Sequence, residues 1–269
     1  MNIPTERWAI AGIAGAVLLI AGLGFYFLRG PAGEPPPETE VAVEPPPAPS
    51  VTPPAAPAPE PEPFELPALD ESDAVLRDLV AALSAHPGLA AWLVTDDLIR
   101  RFVVAVDNVA EGVNPARHVP FMRPGTRVQT AGEDPDRFIA PASHRRYDAV
   151  AGVAASLDPA GTAELYHRFL PLMDEAYAEL GYPDTPFADT FRRAVDRVLD
   201  TPIVEGQPAV VGRGPLLQYV DTELENYSPV QKQLIGMGPD NLRTVQAALR
   251  DIATAIGLTG LPREWVLRR

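Results

Sequence analysis

The chain has 269 residues, a formal net charge of −14 at pH 7 and no cysteine. The length allows one sizeable domain with additions, and the acidic balance makes nucleic acid and anionic lipid surfaces poor partners. The missing cysteine removes disulfides, thiolate metal sites, thiol nucleophiles and lipoprotein acylation together.

Trp8–Leu28, "WAIAGIAGAVLLIAGLGFYFL", is a run of 21 residues without a charge. As a helix it would span roughly 31 Å, enough for a hydrocarbon core. Trp8 and the Phe25-Tyr26-Phe27 cluster suit the two interfaces. The run exceeds the apolar region of a cleaved signal peptide, so an uncleaved transmembrane anchor within residues 1–30 is expected. Residues 31–68 then carry a Pro/Glu-rich linker, with 15 prolines, seven glutamates and no basic residue between 31 and 67. Such a segment lacks the apolar surface to fold and stays extended and disordered. Arg7 and Arg29 flank the anchor and no further basic residue follows before Arg77. This leans the topology towards an inside N-terminus and an exported C-terminal portion.

The remainder reads as a mainly α domain over 69–258, with one or two small β-hairpins and a C-terminal tail at 259–269. Ser72 or Asp70 can cap a helix with Val75, Leu76, Leu79, Val80 and Leu83 on one face. Thr95 is the expected cap of the next helix, with Gly112 as its stop. On that helix Leu98, Ile99, Phe102, Val103, Val106 and Val109 share a face. Arg100, Arg101, Asp107 and Asn108 lie on the other side or its flank. Residues 113–142 are loop-rich, and "TRVQT" with "RFIA" can form a hairpin. A helix is expected from Ser143 to Leu157. Asp158-Pro159 opens another to Leu180, kinked or split at Pro171. Thr185-Pro186 starts a helix ending near Asp200, and a second hairpin is expected within 202–220. Ser228-Pro229 and Gly238-Pro239 begin the last two helices, with Gly257 closing the final one.

Several of these stretches occur together in one known family. "LIRRFVVAVDNVAEG", "NPARHVPF", "RRYDAVAGVAASLDPAG", "LMDEAYAELGYP", "TPIVEG" and "SPVQKQLIGMGPDN" resemble the bacterial membrane-anchored family catalogued as domain of unknown function 3014. The resemblance implies an anchor, a Pro-rich linker and a helical domain, and it implies no activity. The chain departs from the family pattern at Gly236, where arginine is expected, and at Ala140-Pro141, where Asp-Pro is usual.

Local catalytic signatures are sparse in this sequence. The sequence has no Gly-x-Ser-x-Gly elbow, phosphate-binding glycine loop or His-Glu-x-x-His. His86, His118, His144 and His167 are dispersed, so neither metal nor cofactor is expected. Asp107, Asp148, Asp174 and Glu175 could flank a cleft, and a glycan-cleaving pair needs a separation of about 5–9.5 Å.

The strongest signal is a charge inversion at 113–147, where six arginines face three acids. Arginine forks suit carboxylates and phosphates. The candidate ligand-binding set is Arg100, Arg101, Asp107, Asn108, Arg117, Arg145, Arg146, Tyr147 and Asp148. The structural alternative is that these arginines pair with Asp107, Asp148 and the acidic helices to fasten the loop. Functionally, the chain reads as a non-enzymatic binding or scaffold module in the bacterial inner membrane, anchored through 8–28. Its domain is expected in the periplasm, with an envelope protein, peptide or glycan as partner. A cell-envelope hydrolase with a carboxylate pair is the alternative, and a cytoplasm-facing adaptor the second.

Overall fold

The apolar spacing read near the start of the domain becomes helix α1, Ser72–Ala81. Its Ser72 hydroxyl turns back to the Leu69 carbonyl instead of capping. The computed structural model describes residues 65–90, 92–119, 124–213 and 216–269. The expected anchor and most of the expected linker lie outside them. Among the described residues no helix is long and apolar enough to cross a membrane.

Helix α2 is Leu98–Ala110, one face of which is buried from Leu98 to Ala110 as the periodicity predicts. Its cap differs from expectation. Asp97 occupies the cap position in a left-handed conformation and offers no side-chain bond. The carboxylate of Asp73 on α1 instead accepts from the Asp97 and Leu98 amides at 2.8 and 2.9 Å. An acid from a neighbouring helix thus satisfies amides that Thr95 was expected to serve. Gly112 ends the helix at φ 76°, where an added Cβ would meet Ser228 at 2.9 Å.

The expected helix at 143–157 is divided. Helix α3, Pro141–His144, runs into a 3-10 turn over Arg145–Tyr147 and then into α4, Asp148–Ala155. Asp158 caps α5, Pro159–Glu179, through the Ala160 and Gly161 amides. Pro171 does not split α5. It lies on the exposed side, where the carbonyl its ring frees can take water, and Phe169, Leu172 and Met173 hold the helix by burial. Helix α6, Phe187–Leu199, again borrows its cap, since Asp174 of α5 accepts from the Phe187 amide at 2.8 Å.

The core lies where α2 packs on α5 and α6, and α5 and α4 pack on the last helix, α9, Pro239–Ile256. Phe102, Tyr166, Phe187 and Phe191 form its aromatic centre, with ring centroids 4.8–6.4 Å apart. Between α6 and α9 come the short α7, Thr222–Glu225, and α8, Pro229–Gly236. The latter opens with the capping box of Ser228 and Gln231.

Both expected hairpins form. Strands β1 (Thr130–Ala131) and β2 (Phe138–Ile139) pair in register Thr130↔Ile139. Strands β4 (Val210–Arg213) and β5 (Leu216–Tyr219) pair in register Val210↔Tyr219. A bridge between Phe138 and Ala209 joins the two hairpins. The tail is not featureless. Its β6, Val266–Arg268, runs parallel to β3, Ile203–Glu205.

Candidate functional site

A helical turn sends residues three apart to one side, and the 3-10 turn after α3 does this with its charged residues. Arg145 and Asp148 line one cavity, while Arg146 and Tyr147 line another. The two cavities share Ile139 and Tyr219 as a common wall.

The larger cavity holds about 590 Å³. Phe138, Ile139, Val204, Ile235 and Met237 supply apolar lining, and His144, Arg145, Asp148, Gln207, Asp240 and Asn241 supply polar groups. Its inner edge is the sharp turn into α9. Gly238 caps that helix at φ 88° and ψ 157° without a side-chain bond, and Pro239 follows at the first helical position. The Asn241 amide group ties the turn to its surroundings. It donates to the His144 carbonyl at 2.9 Å and to Asp148 at 3.1 Å. His144 is half-buried against Gly238. Burial and the Arg146 charge push its imidazole towards the neutral form, opposed by Asp240. Arg145 is exposed and has no hydrogen-bond or carboxylate partner among the described residues.

The smaller cavity holds about 350 Å³ and lies between α8, the 3-10 turn and the β4–β5 hairpin. Tyr147 is buried there and accepts from Gln233, which is buried too. Arg146 is fixed through Nε to the Ser143 carbonyl at 2.9 Å and Nη1 to the Thr126 carbonyl at 2.8 Å.

The other candidate residues stand elsewhere. Arg100 and Asp107 are not covered by the loop arginines. Arg100 bonds Glu179 at 2.6 Å and Asp70 at 2.7 Å, fastening the starts of α1 and α2 to the end of α5. Its guanidinium holds the Glu179 carboxyl below the usual carboxylate range. Arg101 donates to the Asp96 carbonyl, and Asn108 to the Val104 carbonyl one turn back. Arg117 donates to His118 Nε2 at 2.7 Å, and burial together with the Arg117 and Arg101 charges depresses the His118 pKa. Three of the loop arginines, Arg117, Arg137 and Arg146, find partners other than Asp107. Arg137 pairs with Asp134 inside the loop, and the Ser143 hydroxyl accepts from the Gln129 backbone amide and donates to the Gln129 carbonyl. A mixture of carbonyls and a local ion pair therefore fastens the loop.

Asp107 ends a hydrogen-bond chain between α2, α5 and α6. Arg193 donates to the Thr190 hydroxyl, Thr190 to Tyr177, and Tyr177 to Asp107 over a long 3.4 Å. Burial, with the Glu111 charge behind it, raises the Asp107 pKa, opposed by Tyr177 and Arg193. A raised folded pKa means stability that is complete below the unfolded value and declines as pH rises through the folded one. Asp107→Asn keeps an acceptor and cannot ionise. Its stability relative to wild type should therefore improve in urea unfolding as pH rises above about 4, levelling off once the folded wild-type carboxyl has ionised. Asp107→Ala orphans the Tyr177 hydroxyl and should cost about 1–2 kcal/mol near pH 4, with the same drift in its favour as pH rises because it cannot ionise either. A pH-independent Asn difference would show that Asp107 is solvated.

Sequence reasoning missed Gln207, Lys232, Gln233, Met237 and Asn241. The stretch "SPVQKQLIGMGPDN" carried the available signal, a dense polar run broken by Gly-Pro. Among the described residues no group of three or more His, Asp or Glu could hold a metal ion.

A family model described as "Protein of unknown function (DUF3014)" matches residues 98–253, more than half of the chain. No curated protein and no solved structure matches the chain.

Proposed function

The chain belongs to the DUF3014 family, whose description carries no activity, and from the site itself we propose a non-enzymatic binding module that receives its partner in the larger cavity. One observation carries this reading. Three of the stretches that carry the family resemblance send residues into that cavity: Arg145 and Asp148 from the first, Val204 and Gly206 from the second, and Ile235, Met237 and Asn241 from the third. Its size falls within the range of small-ligand and peptide-side-chain sites. Its polar groups are spaced around an apolar floor, with Arg145 available to a partner's carboxylate or phosphate.

The hydrolase alternative finds less support. Asp148 and Asp240 both line the cavity, yet both are exposed to solvent. A general acid in glycan cleavage is a carboxyl kept protonated by its surroundings. The carboxyl that burial does raise, Asp107, is not in the lining.

A photoreactive residue in place of Gln207, in the full chain and in its own membranes, tests the binding reading. Crosslinking to a discrete species, absent when the residue replaces Asp251 on the exposed side of α9, supports it. Equal labelling at both positions removes it. We place the domain in the periplasm of a bacterial envelope, anchored through 8–28, on the strength of the charge-free run and the lack of basic residues from 30 to 76. Alkaline phosphatase fused after Arg269 should then be active, and a fluorescent protein at the same place dark. The reverse pattern would favour the cytoplasm-facing adaptor.

A further inference from the structure

The smaller cavity poses an electrostatic question that the larger one does not answer. Its charged lining residues are Arg146, Lys232 and Glu225. Lys232 and Glu225 neutralise each other at 2.7 Å, and the second Glu225 oxygen accepts from the Tyr219 amide at 2.9 Å. Arg146 is left with its full charge, because both of its partners are neutral carbonyls. Those bonds use Nε and one hydrogen of Nη1. The outer edge, with one Nη1 hydrogen and both Nη2 hydrogens, makes no bond among the described residues. Tyr147 supports the guanidinium, whose carbon lies 5.3 Å from the ring centre. The rest of the lining is mainly apolar, with Val128, Ile139, Val210, Leu217, Tyr219 and Pro229 beside the uncharged amides of Asn114, Gln218 and Gln233. A half-buried cation held only by neutral groups is costly unless an anion completes it.

We infer that this cavity binds an alkyl carboxylate, with the carboxylate on the outer edge of Arg146 and a single chain along the apolar wall. The anion matches a preorganised fork in two-point geometry. About 350 Å³ is near the lower end of ligand cavities, so one chain of moderate length fits and a two-chain lipid does not. The inference is independent of the partner proposed for the larger cavity, since the two sites share only the Ile139 and Tyr219 wall.

The test titrates hexanoate, octanoate and decanoate into the full chain at a fixed concentration of non-ionic detergent, against 1-octanol and octylammonium. Binding should strengthen about fourfold per methylene until the cavity is full. Octanoate should bind at least tenfold more tightly than 1-octanol or octylammonium. Arg146→Gln should remove that preference. Because Arg146 also ties the loop at Thr126, a second variant leaves it untouched. Gly236 lines the cavity at the end of α8, and among the described residues a Cβ there meets nothing within 4 Å. Gly236→Leu should fill the space and abolish decanoate binding without lowering the melting temperature, and partition into detergent cancels between the two proteins. Equal binding of decanoate by wild type and Gly236→Leu overturns the inference. So does equal affinity for octanoate and 1-octanol, or the absence of saturable binding by wild type.

Discussion

Phe191→Ala should lower the unfolding free energy of the domain by about 3–5 kcal/mol, the range for deleting a buried aromatic ring. Phe191 is buried on α6 and meets the Phe102 ring of α2 at 6.4 Å and the Tyr166 ring of α5 at 4.8 Å. Phe187 of its own helix stands 6.3 Å away. The three neighbouring rings are carried by three separate helices, so the space left by Phe191 cannot close without moving helix against helix. That rigidity puts the cost well above the transfer free energy of the ring alone. Denaturant unfolding of residues 65–269 gives the number, with Val94→Ala as the exposed comparator, expected within about 0.5 kcal/mol. A loss below about 1.5 kcal/mol for Phe191→Ala would mean that α2, α5 and α6 do not meet at these rings.

The helices were legible because each carries its own evidence. The apolar face of α2 and the Ser228-Pro229 start of α8 are each written within a few consecutive residues. So are the glycines that end α2 and α9. What escaped sequence reading is what one element supplies to another. The caps of α2 and α6 come from Asp73 and Asp174, each on a different helix from the amides it serves. No local signature distinguishes such an acid from a solvated one. The β3–β6 pair is equally hidden, because Ile203 and Val266 are joined in parallel although 63 positions separate them in the sequence. A parallel pair has no connecting turn to announce it.

The site was half legible for the same reason. The run Arg145-Arg146-Tyr147-Asp148 stands out by chemistry, and all four residues do line cavities. Their division between two cavities depends on the 3-10 turn, which the sequence presents as the start of a continuous helix. Arg100 and Asp107 stand out just as strongly, yet they belong to the contacts that hold α2 to α1, α5 and α6. Arginine-rich segments draw attention whether they clamp or recognise. Only the partner across the gap tells the two apart.

Gly238→Ala should cost about 3 kcal/mol or more, and the cost has two separable parts. The backbone at φ 88° and ψ 157° lies in a region that is essentially reserved for glycine, worth about 1–3 kcal/mol. An added Cβ would also stand 2.5 Å from His144 Cγ and 2.8 Å from His144 Cβ, an overlap of a further 1–3 kcal/mol, approximately. Truncating the ring with His144→Ala removes the first contact and leaves the second, because His144 Cβ is fixed to α3. In a double-mutant cycle the pair should therefore recover only the ring's share, a coupling of about 1–2 kcal/mol. The backbone share should remain whatever stands at 144. If Gly238→Ala alone costs less than about 0.5 kcal/mol, the turn relaxes freely and cannot be what sets the cavity edge. The same turn carries Met237 on one side and Asp240 with Asn241 on the other. A protein that has regained stability through His144→Ala has lost a wall of the cavity. Crosslinking from position 207 should then stay weak in the double variant although the domain is folded, which separates the role of this turn in recognition from its role in stability.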